Sequence, residues 1–257
     1  MDQADLEQFV TDLAVGDPAV RDDGAFGGLA AAVTEDRLTT AQRAWLGDRM
    51  VERFSHPEAF ARSFAPLILA VLADTWSTND GAWPAVWTDS LLTWWPTESD
   101  LRGHDATVGW IHAVAHGADA IGTLGATRFA PADRLLSAVA ERLTTTTDFV
   151  WRDQEDDRVA AAVVGILLGD PGAGLAPLLE PVAAMFATGE PGPVPAAATN
   201  AMHTLRSLYV ALGNTVLDPK TQEPQRVPNA PSLQESIAVT LQATTPWLFT
   251  AGRGSAG

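Results

Sequence analysis

The stretch SHPEAFARSFAPLILAVLA, residues 55–73, carries the pattern that decides the fold. A polar step containing proline opens it, and an apolar-rich run of helical length follows from Glu58 to Ala73. Proline costs little in the first turn of a helix, where its missing N–H would have no intrahelical partner. The same punctuation stands upstream at Asp17-Pro18, where Asp supplies an N-cap acceptor before a run through Arg21, Ala25 and Leu29 toward Val33. Asp5 to Leu13 reads as a first helix ending near Gly16. Thr39 or Thr40 can cap a segment reaching Phe54, with Trp45 and Met50 as core candidates.

Downstream, helical periods span Ala82 to Trp94, Asp105 to Leu124, Pro131 to Leu143 and Asp156 to Leu168. Three more cover Leu175 to Phe186, Ala196 to Leu212 and Leu233 to Thr244, and the short connections suit antiparallel neighbours. Strand signals are sparse: Thr144 to Thr147 and Phe149-Val150-Trp151 lack an alternating partner and read as a helix end and a connection. Gly189 to Pro195 and Asp218 to Pro231 read as irregular, and Ala251 to Gly257 as a disordered tail. The expectation is an all-α chain of about ten or eleven helices, forming one domain over residues 1–250. A HEAT-like solenoid of helical hairpins, or a curved helical repeat, is the first choice. A compact bundle or toroid comes second, because no repeat of fixed period aligns.

Composition narrows the function classes. Hydrophobic residues make up 46% of the 257 and charged residues 19%, a folded and not a disordered balance. Asp and Glu total 32 against 16 for Lys and Arg, and the formal charge of −16 repels a phosphate backbone, which disfavours nucleic acid as a partner. Lys220 is the only lysine, so arginine carries nearly all positive charge. No apolar run is long enough to span a membrane and the N-terminus MDQADLEQFV is acidic, so neither a span nor an export signal is read. The absence of cysteine excludes disulfides, thiolate metal ligands and a cysteine nucleophile, and it suits the cytoplasmic location expected here.

One segment has a sharp chemical pattern. Read as one helix, DATVGWIHAVAHGADAIGTL (Asp105 to Leu124) aligns Asp105, Gly109, His112, His116 and Asp119 along a polar stripe. Trp110, Ile111, Val114, Ala118 and Ile121 form the opposite, core face. Ala113, Ala115, Gly117 and Ala120 beside the stripe leave room for a neighbouring helix or a ligand. Histidines four apart can converge on one ion and Asp119 could add a carboxylate, an adequate first shell for Zn²⁺, or with further carboxylates for Mn²⁺ or Fe²⁺. Ala113 stands where a zincin has its glutamate, so a base would come from Glu98, Asp100, Asp105 or another helix. A metal site, a metal-free polar pocket and a structural or surface role all remain open for these residues.

Arg62 lies among Phe60, Phe64, Leu67 and Ile68, so it either reaches a carboxylate on another helix or grips an anionic ligand. In QEDDRVAAAVVGILL, Asp156 or Asp157 can cap the helix that follows, and Glu155, Asp156 and Arg158 can serve as partners for Arg62 or the histidine stripe. Asn200, His203 and Arg206 share a face, with Tyr209 close in phase, and read as an interhelical polar network or a cavity wall. The cluster Trp76, Trp83, Trp87, Trp94 and Trp95 suits core packing better than a sugar platform. Phosphate-cradle and serine-hydrolase motifs are missing.

The strings RSFAPLIL, ESDLRGHDATVGWIHAVAHGADAI, QEDDRVAAAVV and NAMHTLRSLYVAL together resemble the uncharacterised bacterial proteins grouped as domain of unknown function 2785. The resemblance runs from about Asp17 to the late helices. It implies an all-helical domain with a characteristic polar segment at Glu98, Asp100, Arg102, Gly103, Gly109, Trp110, His112, His116, Gly117 and Asp119. Arg62, Glu155, Asp156, Arg158 and Asn200 are further matches, and no activity is implied. Two functions are carried forward. In metal-assisted hydrolysis, His112, His116 and Asp119 would hold the ion, Glu98 or Asp100 would act as base, and Arg62 or Arg102 would offset substrate charge. The alternative is a non-catalytic scaffold or small-molecule-binding protein taking a small polar or anionic ligand or a protein partner.

Overall fold

Helix starts follow the capping chemistry of the sequence. In the computed structural model, which describes residues 1–187, 192–246, 248 and 249, Asp2 caps α1 (Gln3–Asp12) by accepting the amide of Asp5. Thr39 and Gln42 form a reciprocal capping box at the start of α3 (Thr40–Arg53). The Asp17-Pro18 step opens a π-helical segment, Ala19–Phe26, which continues into α2 (Gly27–Thr34). The expected second helix is thus present, but its first half is wound wide. After Pro57 comes α4 (Ala59–Thr75), almost wholly buried.

The remaining helices are α5 (Ala85–Thr97), α6 (Ala113–Ala126), α7 (Ala132–Thr144), α8 (Glu155–Gly169), α9 (Ala176–Ala187), α10 (Ala196–Leu212) and α11 (Ala230–Thr244). The structure therefore corrects the sequence reading at α11, which begins at Ala230 and not at Leu233. Among the described residues β structure is confined to two hairpins of two-residue strands. They are β1 (His104–Asp105) with β2 (Gly109–Trp110), and β3 (Val216–Leu217) with β4 (Pro224–Gln225), of which β4 falls inside the stretch expected to be irregular and β3 just before it. Residues 189–191 of the glycine-proline segment and the expected tail at 251–257 lie outside the described residues.

The helices pack in two successions. α2, α4, α6, α8 and α10 touch one after another, while α3, α5, α7, α9 and α11 do the same alongside them. The tightest pair is α6 with α8, because glycines let the backbones meet: a Cβ on Gly165 would stand 2.9 Å from the carbonyl oxygen of Gly122. One apolar core, with Trp95, Ile121, Val163 and Leu205, fills the later helices, and a second, with Leu29, Leu46, Ile68 and Trp87, fills the first four. The tryptophans pack as expected, Trp76, Trp83 and Trp87 meeting edge to face. A third small cluster, Phe60, Ala61 and Ile111, sits where the first hairpin meets α4.

Candidate functional site

The polar stripe read as one helix is broken. The carboxylate of Asp105 accepts the amides of Thr107 and Val108 at 2.8 and 3.2 Å, an Asx-type turn that competes with helix formation. Gly109 then adopts φ +72°, a conformation that glycine allows without a Cβ penalty, and the chain doubles back as the β1–β2 hairpin. Asp105 and Gly109 therefore leave the stripe, and Trp110, expected in the core, is 43% exposed. Helix α6 begins after His112, which sits in the left-handed region at φ 49° with its amide held by the carbonyls of Arg102 and Gly103. Ile111, Val114, Ala118 and Ile121 are buried as expected.

His112 and His116 nevertheless meet. Their ring centroids stand 5.7 Å apart, and both line a cleft of about 630 Å³. Its walls come from four places in the chain: Phe26 of the π-helical segment, Phe64 of α4, Trp110 of the hairpin, and the loop leading into α8. The Trp110 ring stacks on His112 at 4.5 Å, and Phe64 meets His116 edge-on at 5.1 Å. Arg21 holds this arrangement from beneath. Fully buried, it donates to the carbonyls of Val108 (2.7 Å) and Trp110 (3.3 Å), pairs with Asp22, and lies over the rings of Phe60 and Phe64.

Each imidazole is fixed by a backbone carbonyl. His116 Nδ1 is 3.0 Å from the oxygen of Ser63, so Nδ1 carries the proton. Burial first, and then the neighbouring His112, push the His116 pKa down to about 3, so the ring is neutral and its Nε2 is an acceptor. His112 Nε2 donates to the carbonyl of Asp153 at 3.0 Å and lies 3.5 Å from Glu155 Oε1. Burial of Glu155 opposes its ionisation, but the nearby His112 ring and the amides of Glu155 itself and Asp153 outweigh it and hold the carboxyl below its ordinary range. Asp119 turns to α8, where both of its oxygens meet Nε and Nη2 of Arg158. Burial raises the Asp119 pKa against the pull of that arginine.

Residues 51–210 match the family described as protein of unknown function (DUF2785). The chain belongs to this family. No curated protein and no solved structure matched it. The DUF2785 segment contains both histidines, Trp110 and the arginines of the cleft, whereas Arg21, Asp22 and Phe26 precede it.

The other residues singled out within the DUF2785 segment are held in separate places. Arg62 reaches a carboxylate on another helix: Glu98 takes its Nε at 2.6 Å and Nη2 at 2.8 Å, while Nη1 binds the carbonyls of His56 and Pro57. Burial resists the Glu98 charge, and Arg62 with the amide of Asp100 overcomes it, so the carboxyl stays below its ordinary range. Arg102 is bound to Asp100 and Asp105 near the hairpin. None of Arg62, Glu98, Asp100 and Arg102 lines the cleft. The acidic cap expected of Asp156 or Asp157 is replaced by Gln154, in the left-handed conformation and without a side-chain cap bond. Asn200, buried on α10, clamps the connection before α8: it accepts the Trp151 amide and donates to the Phe149 carbonyl. His203 and Arg206 face outward.

The metal reading loses its third ligand. Among the described residues no three His, Asp or Glu side chains are grouped to hold an ion, because Asp119 is turned onto Arg158. Sequence reasoning missed Arg21, Phe26, Phe64, Arg152 and Gln154 as parts of the site. A buried arginine followed by an acid, at Arg21-Asp22, was the one readable signal; nothing in the sequence announces the left-handed turn at Gln154.

Proposed function

We propose that this protein binds a small polar or anionic molecule in the cleft between the first hairpin, α4 and the starts of α6 and α8. The observation that carries the reading is the pairing of a sizeable cleft with histidines already fixed by backbone carbonyls. Such rings are set to recognise, while the acids that hydrolysis would need are engaged: Glu98 with Arg62, Asp100 with Arg102, Asp119 with Arg158. Arg152 and Arg158 both line the cleft, and their remaining N–H donors favour a ligand with an acidic group. The two successions of helices support a HEAT-like stacking of hairpins as the scaffold, with the cleft at one end of the layer holding α4, α6 and α8.

Thermal denaturation of the purified protein against a library of small anions and polar metabolites tests the reading. A hit should raise the midpoint in the parent protein and lose its effect in Arg152→Glu. Elemental analysis of the same protein and of His112→Ala and His116→Ala discriminates the rival. Stoichiometric metal lost in both variants would replace binding by metal-assisted hydrolysis.

A further inference from the structure

We infer that the cleft takes an aromatic acid that also bears a hydroxyl or N–H donor, an inference that rests on the binding reading above. Three observations fix the three parts of that ligand. Phe26, Phe64 and Trp110 give the cleft aromatic walls, and Trp110 keeps 43% of its surface exposed although Arg21 holds its backbone in place. An indole backed by the His112 ring at 4.5 Å and still partly exposed is a built wall for a flat ring.

The second part is the donor. His116 is more than nine-tenths buried and lines the cleft, and its Nδ1 proton is committed to the Ser63 carbonyl, which can only accept. Nε2 is left as an acceptor, and no described residue donates to it. A ligand atom that meets it must bring its own proton, so a hydroxyl or ring N–H fits where a carbonyl or ether does not.

The third part is the acid. Arg158 spends Nε and Nη2 on Asp119 and leaves Nη1 uncommitted. Arg152 stands at the cleft, with Asp153 no closer than 4.0 Å. The carboxylates that line the cleft are engaged, Asp22 by Arg21 at 2.7 Å and Asp153 by the amide of His104 at 3.2 Å, so what the cleft still offers an acid group is the unfilled guanidinium N–H donors of Arg152 and Arg158.

Isothermal titration with four probes tests the inference: 4-hydroxybenzoate, 4-methoxybenzoate, 4-cresol and trans-4-hydroxycyclohexanecarboxylate. 4-Hydroxybenzoate is expected to bind. Masking its hydroxyl as the methyl ether should weaken binding roughly tenfold or more, the cost of a buried acceptor left unpaired. Removing the acid or saturating the ring should each weaken it by a similar factor. Trp110→Ala and Arg152→Ala, both at exposed positions, should reproduce the ring and acid losses with the helical content unchanged. Equal affinity for the ether or the saturated acid overturns the inference, as does 4-hydroxybenzoate binding that neither variant alters. If none of the four binds while an aliphatic anion from the thermal screen does, in an Arg152-dependent way, the aromatic assignment falls and the binding reading stands. If neither set binds, both fall.

Discussion

Burying an imidazole whose single proton is committed to a carbonyl makes acidity a direct probe of His116. In the unfolded chain that ring takes up a proton below its ordinary 6.5, whereas in the folded protein it resists until about 3. The unfolded state therefore binds more protons across this window, and stability falls as the pH drops through it. Between pH 7 and pH 5 the loss from this one group is about 2 kcal/mol, at about 1.4 kcal/mol per pH unit once below the unfolded pKa. Urea denaturation at the two pH values should show that difference in the parent protein. In His116→Phe the slope should shrink by about this amount; an unchanged slope would place the imidazole in contact with water. The same accounting applies to the arginines. Arg21 and Arg142 are nearly inaccessible, and each binds main-chain carbonyls, Arg21 with Asp22 as its acid partner and Arg142 closing the end of α5 at Trp95 and Glu98. The sequence announced this logic for Arg62, an arginine among aromatics that needed a carboxylate. It could not name Glu98 as the partner, because that distance is set by how α4 and α5 lie together.

Helix existence was legible almost throughout; helix beginnings were legible where a side chain does the capping. Thr39 gave itself away, whereas Asp2, which caps a helix read as starting at Asp5, did not; α10 runs from Ala196 to Leu212, the span its periodicity indicates. The miss at Asp105 to His112 has a local cause. Small and apolar residues keep a helical rhythm through that stretch, so period alone extends the helix backwards over a turn created by Asp105 and Gly109. The starts of α6 and α8 share an uncommon device, a non-glycine residue in the left-handed region, His112 in one case and Gln154 in the other. Both residues line the cleft, which is why the site was found in part and its frame was not. Farther along the same two helices, contact is backbone to backbone. A Cβ on Gly125 would stand 2.7 Å from the Cα of Ile166, which no side-chain rotation can relieve. Gly125→Ala gains about 1 kcal/mol in helix propensity and loses about 1–3 kcal/mol to overpacking. A net loss in denaturant midpoint is expected, and a stabilised variant would show that α6 and α8 can separate at little cost.

Across the whole molecule, a charge of −16 on 257 residues acts against compaction, because 32 acids face only 16 Lys and Arg. Screening that repulsion should stabilise the fold. Raising sodium chloride from about 0.01 to 0.15 M shortens the Debye length from about 30 to 8 Å, and the melting midpoint should climb by roughly 2–4 °C, the response of a domain this size to about 1 kcal/mol. A falling midpoint would mean that paired charges outweigh the surplus. The cleft is assembled at this scale too, from segments more than a hundred residues apart in sequence. Arg21 is its doorpost. Because that guanidinium reaches across to the carbonyls of Val108 and Trp110, the first two dozen residues are masonry in the cleft and no mere preamble to the part that matches the family. Pruned of them, the chain would lose the prop beneath Trp110 and lay bare the rings of Phe60 and Phe64, leaving a sticky opening where a shaped one had been.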